Sequence, residues 1–284
     1  MTWHMYQVVF RLRSPLHIGC GKVGNLQRTR LYVTGRVLWG ALTMRLTRDE
    51  ASGRGPATDS RDYQHVGSRV HQSLAFTYFF PTTSKEGKMD LWPWENGFRS
   101  RFLSTYASTA LTYPQQSADE GTLHEVECIV PHTLDTGSAV YLAGYIFERE
   151  DAPPWKAALH RLQLGGERGY GWGRVEPLRK PDTLDNNSLF GGQYTVEENT
   201  WPPVLKSGKD APLLAHALAA DFGPHKAVSA VDGQIEPLVG REVDPSSGRF
   251  GVQLSQARIC YAPGAQVTQE ASFAIGPYGI WQRP

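Results

Sequence analysis

Residues 164–178 read LGGERGYGWGRVEPL. Gly165, Gly166, Gly169, Gly171 and Gly173 fall within nine residues, with Glu167, Arg168, Tyr170 and Trp172 between them and Arg174 just after. A glycine gives up more backbone freedom on folding than any other residue, so this cluster must be offset by what its backbone reaches. Before it, PPWKAALHRLQL (153–164) starts on proline and places Trp155, Ala158, Leu159 and Leu162 at i, i+3, i+4 and i+7, the stripe of an amphipathic helix. After it, WGRVEPL (172–178) reads as a strand. The glycines therefore lead from a helix into a strand. In the dinucleotide-binding fingerprint they close a strand and open a helix.

Working outward, MYQVVFRLRSPLHI (5–18) alternates apolar and basic residues like a half-buried strand, and GCGKVGN (19–25) breaks it. RLYVTG (30–35) is a short extended run, and Thr34 can cap a helix over 36–50 in which Leu38, Ala41, Leu42 and Arg45 share a face. Residues 52–69 are polar and read as a surface loop. QSLAFTYFFP (72–81) and KMDLWPW (88–94) flank a turn as a hairpin, and 104–113, 123–130 and 139–148 read as strands. The order across 1–178 is strand, helix, strands, helix, glycine loop, strand. This is the βαββαβ plan of an α+β, ferredoxin-like (RRM-like) domain, with an insertion at about 52–100. The expected division is a ferredoxin-like domain over 1–180 and a smaller β-rich lobe over 181–284, in which 211–223 reads as a helix.

Composition sets limits. A net charge of +1 makes the whole chain no polycation. The charge is nevertheless uneven. Residues 1–50 hold eight Lys/Arg against Asp49 and Glu50, whereas 181–284 hold seven against eleven acids, so a polyanion would meet the front end. Cys20, Cys128 and Cys260 are widely spaced and odd in number, without a CxxC pair, which argues against a zinc ribbon or a disulfide framework. The N-terminal MTWHMYQVVFRLRSP shows neither signal peptide nor membrane span, so the expected location is the cytoplasm. GxxxxGK[ST], HExxH and GxSxG are absent, and no metal or cofactor is expected.

Two stretches, SPLHIGCGKVGNLQRTRLYVTGRVLWGALTMRL (14–46) and LQLGGERGYGWGRV (162–175), together resemble the RAMP superfamily, the repeat-associated RNA-binding subunits of CRISPR systems. In that family a His-Ile-Gly-like turn ends the first strand, a Pro-Gly-started helix follows, and a glycine-rich loop comes after the second helix. Here Thr34 stands at the usual proline, and Trp39 replaces a usual Lys or Arg, removing one cation. The resemblance covers about residues 1–178. It implies RNA contacts at His17, Gly19, Gly21, Lys22, Arg28, Arg30, Thr34, Gly35, Arg36, Gly165, Gly166, Arg168, Gly169, Tyr170, Gly171, Trp172, Gly173 and Arg174. The chemistry agrees. Glycine lets backbone N–H groups approach phosphates, a helix N-terminus favours anions, and arginine forks grip phosphate. Arg28 and Arg30 point the same way if extended, and Tyr170 and Trp172 offer faces to unpaired bases.

Within the superfamily the resemblance leaves several roles open. Backbone subunits of type III effectors cleave target RNA with an Asp in the loop after the first-strand turn, but residues 19–30 contain no acid. Metal-independent repeat-processing endoribonucleases use histidine, for which His17, His65 and His71 are the candidates. The subunit capping the 5′ tag of the crRNA fits best. It has both motifs, no cleavage Asp, an insertion near the first helix and a β-rich second lobe. This role implies a non-catalytic protein whose partners are crRNA, the large polymerase-like (cyclase-like) subunit and the backbone RAMP subunits, with no membrane. The insertion aromatics Phe76, Tyr78, Phe79, Phe80, Trp92 and Trp94 form either a docking patch or a second core. A stand-alone enzyme with a glycine-rich phosphate loop is the remote alternative. Glu125 and Glu127 alternate on a strand and read as a solvated face.

Overall fold

The computed structural model describes residues 3–52, 55–184, 186–197, 200–244, 246 and 250–284. It is an α+β fold with more strand than helix. The elements before residue 180 run β1 (Trp3–Leu12), β2 (Gly19–Val23), β3 (Leu26–Thr29), α1 (Gly35–Glu50), α2 (Ser60–Ser73), β4 (Leu74–Phe76) and β5 (Phe80–Thr82). They continue with α3 (Phe98–Phe102), β6 (Leu103–Ser108), β7 (Leu111–Thr112), β8 (Ser117–Ala118), β9 (His124–Ile129), β10 (Tyr141–Arg149), α4 (Trp155–Ala158) and β11 (Val175–Pro177).

The central sheet has the order β11-β1-β10-β4, with every neighbour antiparallel, and β5 extends the pairing along β10. In chain order these strands are the fourth, first, third and second. Alternation along β1 sends Tyr6, Val8, Phe10 and Leu12 to one face, where they meet Leu38, Leu42, Trp155 and Leu159 from the helices. The sequence predicts a half-buried strand, yet the other face is dry too. Met5 joins Tyr145, Phe147, Leu205, Phe273 and Trp281, so residues beyond 188 close the sheet from below. These C-terminal residues form an eight-stranded sheet of short strands.

Several expectations change. Residues within the polar 52–69 stretch join a helix, because Asp59 caps the Arg61 N–H at 2.9 Å and Val66, Gly67, Val70 and Ser73 share a buried stripe. Gly67 is required there. A Cβ would lie 2.7 Å from the Trp39 ring, whose Nε1 donates to the Gly67 carbonyl at 3.0 Å. Residues 88–94 form no strand, and β5 pairs with β10 instead. Phe76, Tyr78, Phe79, Phe80 and Trp92 are buried between the central sheet, the helices and the C-terminal strands, so they are core and not a docking patch. Residues 211–223 are not helical. Leu213, Leu214, Ala215, Ala217 and Leu218 are all buried; Leu213 donates its N–H to Ala265 and accepts from Gly264, while Ala217 and Leu218 pair with Tyr261 and Cys260. The second helix of the sequence reading shrinks to α4 and a following 3-10 turn, Leu159–Arg161, although its four-residue stripe is buried as expected.

His71, on α2, stacks on Trp39 at 4.8 Å and meets Tyr278 edge-on at 4.6 Å. Burial first, then the charges of Arg258 and Arg36, lowers its pKa to about 4. A histidine depressed in the folded state contributes stability that is complete above pH 6.5 and drains away as pH falls towards 4. Equilibrium unfolding across that window should show a loss of about 2–3 kcal/mol that His71→Gln abolishes.

Candidate nucleic-acid interface

The glycine loop and the chain after β1 are joined backbone to backbone. Gly166 N–H donates to the His17 carbonyl at 2.8 Å, Gly173 N–H to Pro15 at 2.7 Å, and Arg13 N–H to Arg174 at 2.8 Å. Gly165 and Gly173 have φ of +74° and +76°, and a Cβ would lie 2.2 Å from the His17 oxygen at Gly165 and 1.8 Å from the Leu164 oxygen at Gly173. These two are needed for the turn itself. Gly169 and Gly171 differ, since a Cβ on either meets nothing within 4 Å. Gln163 ties the loop by donating to the carbonyls of Arg168 and Trp172. Tyr170 projects from it 78% exposed, while Arg168 and Arg174 are exposed beside it.

Trp172 corrects the stacking expectation. Its ring is buried against Val126 and Cys128 and meets Tyr106 edge-on at 5.8 Å, so it is part of the wall. Tyr106, 59% exposed, is the aromatic that the sequence reading missed. It lies in a strand whose outward phase carries no distinguishing pattern.

The stretch 19–29 is no simple break. It forms the β2–β3 hairpin, which joins β9 and β6 in a four-stranded sheet. Lys22 sits opposite Gln27 and Gly21 opposite Arg28, so Lys22 and Arg28 occupy opposite faces of this ribbon. Both are exposed. Arg30 departs from them altogether. Its guanidinium donates to both oxygens of Glu236, at 3.0 and 3.2 Å, with only 16% of its side chain exposed. Glu236 also accepts from His216 Nε2, which leaves His216 Nδ1 to accept from the Tyr78 hydroxyl at 2.7 Å. Burial pushes the Glu236 carboxyl up, but His216 and Arg30 outweigh it and hold it down to about 2. Burial pushes the His216 pKa down, against the opposing pull of Glu236. Arg30 therefore ties the end of the β2–β3 hairpin to the strand Ile235–Leu238 of the C-terminal sheet.

His17 is buried, with Nδ1 bonded to the Glu127 carbonyl at 2.8 Å. Glu127 itself is buried, contrary to the solvated-face reading. It accepts from the Thr29 N–H and from Arg99, both at 3.0 Å, stapling β3 to β9 and α3. Thr34 occupies the N-cap position of α1, but its side chain makes no capping bond. Gly35 permits the Tyr278 carbonyl to come close, since a Cβ would lie 2.4 Å from it. His65 is exposed on α2.

Two adjoining clefts collect seven of the expected residues, Gly19, Arg30, Thr34, Arg36, Gly165, Gly166 and Arg168, and leave the others outside. One, of about 770 Å³, lies between the glycine loop, α1 and α2, and is lined by Gly19, Arg36, Met44, Gly165, Gly166 and Arg168. The other, of about 600 Å³, is lined by Gly19, Arg30, Thr34 and Arg36 and, from residues near the C-terminus, by Arg258 and Tyr278. They share Ile18, Gly19, Arg36 and Val37. Sequence reasoning missed Arg258, which lies in the acidic half of the chain with no motif around it. Lys22, Arg28, Arg168 and Arg174 form no ion pair among the described residues. Nor does any group of three or more His, Cys, Asp or Glu among these residues suit a metal ion. No described helix is long and apolar enough to cross a membrane.

No family model and no curated protein sequence matches the chain. Among solved structures, one chain in the cryo-EM structure of the type III-B Cmr-β complex bound to cognate target RNA and AMPPNP aligns with a TM-score of 0.49 at 11% identity. The alignment covers 92% of this chain and 85% of that one.

Proposed function

We propose that this chain is a non-catalytic crRNA-binding subunit of a type III CRISPR effector that caps the 5′ tag and docks the large subunit and the first backbone subunit. One observation carries the reading. Gly19, Arg36, Gly165, Gly166 and Arg168, drawn from the two RAMP-like motifs more than a hundred residues apart, line one cleft. Unpaired Arg168, Arg174, Lys22 and Arg28 lie on the loop and the hairpin that carry these motifs. Such a surface suits a single strand, whose phosphates meet arginine forks and close backbone while its bases meet Tyr170 or Tyr106. The fourth-first-third-second strand order supports the ferredoxin-like reading. An RRM would present the helix-free sheet face to RNA. Here that face is filled by the C-terminal lobe, which favours the motif-lined cleft as the path.

The non-catalytic reading rests on the side chains. The β2–β3 hairpin carries no acid, and His17 is buried with its ring bonded to a backbone carbonyl. His71 is stacked and held neutral. In buffer with chelator, end-labelled repeat RNA should bind in a tag-dependent way and stay intact. A single cut would indicate the repeat-processing endoribonuclease instead, with exposed His65 the first variant to make. Equal affinity for a tag-scrambled RNA would remove the capping role.

The charges can be separated. Lys22→Gln combined with Arg168→Gln should weaken RNA binding about tenfold or more and lower the slope of log K against log salt by about two. Arg30→Gln should leave that slope unchanged and lower stability instead.

A further inference from the structure

The cleft of about 600 Å³ holds two arginines from opposite ends of the chain. Arg36 lies in the first turn of α1, and Arg258 opens the C-terminal strand Arg258–Tyr261. Both guanidiniums lie over the Tyr278 ring, 4.9 and 5.4 Å from its centroid, and Arg258 also lies 4.7 Å from the Phe222 ring. Tyr278 thus sets two like charges in one wall. Each guanidinium carries five donors. That of Arg258 makes no hydrogen bond or ion pair among the described residues. That of Arg36 gives one bond, to the Arg241 carbonyl at 3.3 Å, and its nearest carboxylate, Glu242, is 3.9 Å away. The remaining charged groups at the cleft offset one another, because Arg30 is neutralised by Glu236. Burial, and the Arg36 charge beside it, lowers the Arg258 pKa. Two half-buried cations this short of acceptors are a cost that an anion between them removes.

We propose that Arg36 and Arg258 together bind one phosphodiester of the RNA inside this cleft, so that the acidic C-terminal lobe contributes a phosphate contact of its own. The inference rests on the RNA-binding reading. A phosphodiester is favoured over a carboxylate of a partner protein because the cleft continues, through Gly19 and Arg36, the one lined by the glycine loop. A strand following that path brings its backbone here. The volume also lies within the range of pockets that hold a nucleotide-sized group, roughly 300–1,000 Å³.

The test uses the full chain and fluorescein-labelled single-stranded repeat RNA, titrated at several salt concentrations. Arg258→Gln should weaken binding about tenfold and lower the salt slope by about one. Arg258→Lys should recover part of the affinity, because it restores the charge without the fork. Gln256→Glu leaves both arginines in place and adds a carboxylate to the same cleft, so it should weaken binding similarly. It decides the matter if Arg258→Gln does not fold. Wild-type affinity in Arg258→Gln, or in Gln256→Glu where that variant decides, overturns the subsite. If Lys22→Gln with Arg168→Gln still weakens binding, the RNA reading survives that result. If the wild-type chain binds no RNA but captures an acidic peptide through Arg258, both readings fall.

Discussion

Gly173→Val is expected to destabilise the protein by about 4 kcal/mol or more. At φ +76° a β-branched residue is strained, and its Cβ would overlap the Leu164 carbonyl at 1.8 Å. That oxygen belongs to backbone and cannot rotate away. Relief requires moving the turn, which would break the Gly173 N–H bond to Pro15 and the Leu164 N–H bond to Gly173. The neighbours should behave differently. Gly171→Ala meets only the left-handed penalty of about 1–2 kcal/mol. Gly169→Ala meets open space at an ordinary φ and should be close to neutral for stability. Urea unfolding of the three variants sorts the glycines into those that build the turn and those left for something outside. If Gly169→Ala folds normally and loses RNA affinity, the loop touches RNA.

Glu236→Gln is the second large effect. The carboxylate neutralises Arg30 and orients His216, joining the chain near residue 30 to the C-terminal sheet. Removing its charge leaves a mostly buried guanidinium uncompensated, at a cost of about 3 kcal/mol. The pH dependence has a definite sign. The folded pKa, about 2, lies below the usual glutamate value of 4.5. The stabilisation is therefore complete above about pH 4.5 and lost as pH falls towards 2. Acid unfolding should steepen through that window in the wild type and flatten in the variant, which also separates this effect from that of His71 at higher pH.

The sequence carried β1, α1, β10 and the buried stripe at Trp155, Ala158, Leu159 and Leu162 because these segments have strong periodicity. It failed where burial came from both sides. LLAHAL reads as a helix by composition, yet Leu213, Leu214, Ala215 and Leu218 are buried on all faces between strands. It failed also where a helix is mostly polar, as in α2, whose stripe is four small residues long. The candidate site was legible as two glycine motifs. What each residue does there was not. Spacing alone cannot reveal that Arg30 pairs with Glu236 206 residues away, that Trp172 faces inward, or that Arg258 enters the cleft from a strand near the C-terminus.

The most direct measurement is a photocrosslinking map with 4-thiouridine placed through the tag of the repeat RNA and adducts located by peptide mass. The account predicts adducts within 19–30 and 164–174, with tag-proximal positions also reaching Arg258 or Tyr278. Adducts confined to the remote face around Gln193, Lys206 and Glu270 would contradict it, as would their complete absence from the glycine loop.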